Sequence, residues 1–119
     1  MTADTWKAEH WEDGCCLTQW QGTDSCVYVP EEWAGMPVRR LGPGLFADGQ
    51  PEEVFIPGTV RSIDPYAFDG CFLLQMLHLS EGLEELDGTC LTLTGVETLA
   101  LPDSLRIFRN PQKFLGRIT

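Results

Sequence analysis

Ile56-Pro57-Gly58-Thr59-Val60-Arg61-Ser62-Ile63-Asp64-Pro65-Tyr66-Ala67-Phe68-Asp69-Gly70-Cys71-Phe72-Leu73-Leu74 is the clearest copy of a sentence that this chain writes several times. Its opening recurs as Leu79-Ser80…Leu83…Leu86…Leu91 and as Leu101-Pro102…Leu105…Phe108. The step from Ile56 to Leu79 is 23 residues and from Leu79 to Leu101 it is 22. A fixed period of this length marks a solenoid, in which each unit is too small to bury its own apolar face and stacks on the next. The expected object presents a surface and has no enclosed pocket, so no enzymatic activity is expected.

Working outward, Val27-Tyr28-Val29, Val54-Phe55-Ile56, Leu77-His78-Leu79 and Leu99-Ala100-Leu101 alternate, which places the outer pair inward and the middle residue outward on a short strand. Stacked coils would pair these strands into a parallel sheet. Pro57 and Pro102 end strands where a missing N–H does no harm. Val60 and Ile63, Leu83 and Leu86, and Leu105 and Phe108 supply a second inward side, with Phe46, Phe68 and Leu91 as a third. Gly42, Gly44, Gly49, Gly58, Gly70, Gly82, Gly88 and Gly95 fall near corners of the coils.

The pattern apolar-x-apolar-Pro, two further apolar positions at three-residue steps, then Phe-x-x-Cys-x-x-Leu, closely resembles the BspA-type leucine-rich repeat, a bacterial and protist variety. Val27-Tyr28-Val29-Pro30, Gly35-Met36-Pro37-Val38, Leu41-Gly42 and Leu45-Phe46 look like the lead-in and first repeat of such domains. The resemblance runs from about residue 12 to 108. It implies a solenoid with a parallel sheet of short strands, and returns made mostly of loop, short helix or short strand. Two departures stand out. Ser80 replaces a proline, with Cys90-Leu91 degenerate in the same unit, and the single asparagine, Asn110, lies outside the repeats, so no asparagine ladder can form.

The 119 residues are read as one domain with 43% hydrophobic content, enough for a continuous core. Residues 1–26 form an N-terminal β cap in which Trp6, Trp11 and Trp20 close one end. Residues 27–108 form about four coils of 22–27 residues. Residues 109–119 either cap the other end, with Phe114, Leu115 and Ile118 laid over the last coil, or form a tail that frays or docks elsewhere.

Eight Lys plus Arg against 18 Asp plus Glu give a net charge of −10, which argues against nucleic acid or anionic membrane as partner. Residues 1–35 hold seven acids and one lysine, whereas from Arg106 onward there are four bases and no acid. Opposite ends of two copies would attract. The sequence begins without a basic start or an apolar run, so neither a signal peptide nor a membrane-inserting segment is expected. Five cysteines, an odd number, fit a reducing compartment and point to a cytoplasmic protein. The resemblance includes secreted and surface-attached relatives, and it leaves a cell-surface or secreted location open.

Cys15, Cys16 and Cys26 with His10 are the one cluster that suggests metal or redox chemistry, but adjacent cysteines on a strand diverge and the spacing does not fit zinc. No metal and no cofactor is expected. His78 is expected on the outward face beside Phe55 and Ala100, neither of which could activate it as a base. The outward central row, Tyr28, Phe55, His78 and Ala100, with Glu53, Met76 and Thr98 two residues upstream, reads as a contact surface for a protein or peptide. Tyr28, Phe55, Met76, His78 and Glu53 are the expected partner-binding residues. A flank bearing Arg39, Arg40 and Arg61 changes sign along the solenoid and is a secondary candidate. The alternative is self-association, in a homo-oligomer or a surface adhesion protein, and the competing arrangement has the loop at Glu31-Glu32-Trp33-Ala34 folded across Tyr28.

Overall fold

The structure is a computed structural model that describes residues 5–47 and 50–119. Each coil runs from a front strand, round a corner, into a return strand and through a second corner. The front strands β3 (Cys26–Tyr28), β6 (Glu53–Phe55) and β8 (Met76–His78) form a parallel sheet. Its register pairs Val27 with Val54 and Val54 with Leu77. All three point inward and are buried, as the alternation requires. The equivalent strand of the next coil, β10 (Thr98–Leu99), forms its ladder with β12 (Arg117–Ile118) instead.

The return side is more regular than the sequence implies. Strands β5 (Met36–Leu41), β7 (Ser62–Ile63), β9 (Glu85–Asp87) and β11 (Ile107–Arg109) pair in parallel and stack Leu41, Ile63, Leu86 and Phe108 in one row. The N-terminal hairpin of β1 (Thr5–Trp11) and β2 (Gly14–Gln21) joins this sheet, with β2 parallel to β5. It therefore prolongs the return side and leaves the front side to begin at β3. A short strand, β4 (Glu32–Trp33), folds back on β5 and completes a seven-stranded sheet. Gly14 is fixed by this junction, because a Cβ there would meet the Pro37 carbonyl oxygen at 2.2 Å.

The core is one cluster along the solenoid axis. At its N-terminal end Trp6, Trp20 and Phe46 interlock at centroid distances of 5.4–6.4 Å, and Phe46 stacks on Phe68 at 5.2 Å. Two hairpin tryptophans thus cover the first coil. In the degenerate coil, Ser80 Oγ donates to the Ile56 carbonyl at 2.7 Å, a bond proline could not make. Asn110 adopts the left-handed conformation, and its amide donates to both carboxylate oxygens of the buried Asp87 at 3.1 and 3.2 Å.

The tail differs from the expected lid. Phe114 is buried, but Leu115 is 93% exposed and Ile118 is exposed as well. The segment continues the winding, with Arg117 N–H donating to Glu97 and Thr119 N–H to Leu99. A strand that satisfies its backbone in this way can turn only part of its side chains inward. The predicted turn at Gly49 and the first four residues of the cap lie outside the described residues.

Candidate functional site: the front sheet face

Because Tyr28, Phe55 and His78 share one register row, their rings are forced into contact. Tyr28 stacks on Phe55 at 4.5 Å and 5°, and Phe55 on His78 at 4.1 Å and 11°. Tyr28 is 66% exposed and Met76, on the upstream row, 48%. Glu31 to Ala34 do not cover them. The Glu31 carbonyl accepts from Val38 N–H, β4 pairs with β5, and Trp33 packs against the core, which leaves Tyr28 open. The exposed Cys26 is opposite Glu53 and two residues from Tyr28 on the same side of β3. Cys26, with desolvation and Glu53, pushes the Tyr28 phenol above its ordinary value.

His78 corrects the sequence expectation. Its lateral neighbours carry no acid, yet His78 Nε2 lies 2.7 Å from Glu53 Oε2. The pair is diagonal: Glu53 stands opposite Met76, two residues before His78, and a long side chain spans that offset. Ala100 does not continue the ladder, because β10 pairs with β12.

The return-side candidates are occupied. Arg39 donates through Nε and Nη2 to the two carboxylate oxygens of Asp13 at 3.3 and 3.1 Å, and through Nη1 to the Thr59 carbonyl. Arg61 lies 3.9 Å from the same carboxylate. The Arg39 hydrogen bond holds the Asp13 carboxyl below the usual range. Arg40 Nε donates to both oxygens of Asp64 at 2.8 and 2.9 Å, and its guanidinium sits 5.2 Å from the Trp11 ring centroid. Glu85 accepts from Arg109 at 2.9 Å.

The five thiols are free, and four of them are buried. Burial pushes Cys16 up to about 11 and Cys71 up to about 12, and raises Cys15 and Cys90 as well. No group of three or more His, Cys, Asp or Glu among the described residues could hold a metal ion. No described helix is long and apolar enough to cross a membrane. Sequence reasoning overlooked the flank before the front strands, where Phe72, Leu73 and Leu93 are 63%, 52% and 66% exposed. Phe72 and Leu73 occupy variable repeat positions that carry no signal, and Leu93 stands where the clearest copy of the repeat has Gly70.

The family model described as "BspA type Leucine rich repeat region (6 copies)" matches residues 38–113. No curated protein matches. Among solved structures, a leucine-rich repeat protein from Bacteroides capillosus is 22% identical with a TM-score of 0.81, over 96% of this chain and 94% of that one. A leucine-rich repeat protein of T. pallidum is also 22% identical, with a TM-score of 0.68 over 87% of this chain. A third, from Bacteroides ovatus, is 13% identical with a TM-score of 0.60 over the whole of this chain. This chain spans 61% and 40% of the latter two, and at these identities the likeness shows the fold.

Proposed function

The chain belongs to the BspA-type leucine-rich repeat family, and from that premise we propose that it is a non-catalytic protein-interaction module whose front sheet face is the contact surface. The observation that carries this reading is the Tyr28–Phe55–His78 stack, exposed in the middle of the sheet with no described segment laid over it. Both faces of the Phe55 ring are taken by its neighbours. The central rung therefore offers an edge, and a partner aromatic would meet it edge to face. Rings already locked against each other lose little rotamer freedom on binding, so the contact area is gained at low entropic cost. Met76 widens the apolar area, while Glu53 with His78, and the Tyr28 hydroxyl, supply polar contacts that orient a partner.

The test is affinity capture from native cell lysate and culture medium with wild type and with Tyr28→Glu/Phe55→Glu, after both are shown to be folded. A protein held by the wild type and lost by the variant supports the reading. Equal recovery overturns it. Light scattering on the same two proteins separates self-association, in which the partner is a second copy and the variant alone is monomeric.

A further inference from the structure

Leu93 is in the wrong place for a leucine. It follows the buried Leu91 by two residues, as Gly70 follows the buried Phe68, and both adopt the left-handed conformation, with φ of 65° and 75°. Glycine enters that region freely, whereas a bulky side chain is strained there. Leu93 carries this strain with two-thirds of its surface in solvent, so the core gains little from it. It lines a groove with Leu115, Lys113 and Arg117, and Glu97 and Thr98 line both this groove and a second recess lined by Phe72 and Leu73.

Charge identifies the occupant. In a chain of net charge −10, Arg39, Arg40, Arg61 and Arg109 are each paired with the protein's own carboxylates. Lys7, Arg106, Lys113 and Arg117 have no ion-pair partner among the described residues, and of these Lys113 and Arg117 line the same groove as the strained leucine, with Glu97 as the one acid there. We propose that this flank groove is a second docking site, which takes a partner protein's segment bearing carboxylates among apolar side chains. The apolar groups cover Leu93, Phe72 and Leu73, and the carboxylates pair with Lys113 and Arg117. This site adjoins the front face at Met76, which lines the second recess, but Leu93, Lys113 and Arg117 lie outside the Tyr28–Phe55–His78 row.

The probe is a fluorescein-labelled peptide alternating leucine and glutamate, with a leucine–lysine counterpart, followed by fluorescence anisotropy on the full chain. The glutamate peptide is expected to bind saturably and more weakly as salt rises, and the lysine peptide not to bind. Lys113→Glu/Arg117→Glu should weaken binding about tenfold or more, since like charges would then face each other. Leu93→Gly should weaken it about tenfold through lost apolar contact, while Tm stays level or rises as strain is relieved. Tyr28→Glu/Phe55→Glu should leave this binding unchanged, which separates failure here from failure of the front-face reading. The proposal is overturned by absence of saturable binding, by equal binding of the two peptides, by unchanged affinity in Leu93→Gly, or by a large fall in its Tm.

Discussion

The front and return sheets of this solenoid are built from the same repeat, yet their outward rows have opposite character. On the return side Arg40 pairs with Asp64, Arg39 with Asp13 and Glu85 with Arg109, so these charges are satisfied within the chain. On the front side the outward row is Tyr28, Phe55 and His78, with rings that touch one another and solvent. A row that has met its own needs stabilises the fold and leaves little for a partner. Exposed aromatic and thioether groups add little to the fold, and their burial by a partner is favourable. On the function proposed above, the return face serves stability and the front face recognition.

The largest expected effect removes what both faces share. Phe46→Ala takes out the ring that joins Trp6, Trp20 and Phe68, and should cost about 3–5 kcal/mol in a denaturant titration, with both faces lost together. Next, Arg40→Ala should sharpen the contrast. It leaves the mostly buried Asp64 carboxylate without its donor and should lower stability by about 1–2 kcal/mol without changing partner capture. Phe55→Ala should do the reverse, costing under about 1 kcal/mol of stability while capture is lost. An equal loss of stability in the Arg40 and Phe55 variants would erase the distinction.

A smaller effect concerns pH. Burial would raise the Asp87 carboxyl, but the Thr89 N–H and the Asn110 amide outweigh it and hold the group below its ordinary value of 3.8. A depressed folded value means the stabilisation is present above 3.8 and is lost as pH falls through the folded value. Asp87→Asn should flatten that part of the acid unfolding curve. Least disruptive is thiol labelling: of the five cysteines, Cys26 alone should react rapidly in the native protein at pH 8, and the four buried thiols only on unfolding. Rapid reaction of a second thiol would show that the coils open more readily than their packing implies.

Much of this was legible in the residues. The inward set Val27, Val54, Leu77 and Leu99 follows from alternation, and the outward placement of Tyr28, Phe55 and His78 follows from the same rule. The Arg40–Asp64 pair left a trace, since the two lie 24 residues apart, close to one coil. The Glu53–His78 bond left a weaker one, because comparison of equivalent positions aligns Glu53 with Met76. Phe72 and Leu73 left none, since they fall at unspecified positions of the repeat, whereas Leu93 left a faint one in its alignment with Gly70.

The order of residues alone is enough to specify the solenoid, the length of its coil and which side chains face inward, because alternation along a strand is set by the covalent geometry of the backbone. Which outward groups are consumed by one another is settled in the assembled solenoid. Whether Glu53 reaches His78, whether β10 pairs with β8 or β12, and whether Leu93 must take a glycine's conformation depend on how one coil is set against the next. That offset is the outcome of packing over the whole core, and no single repeat contains it.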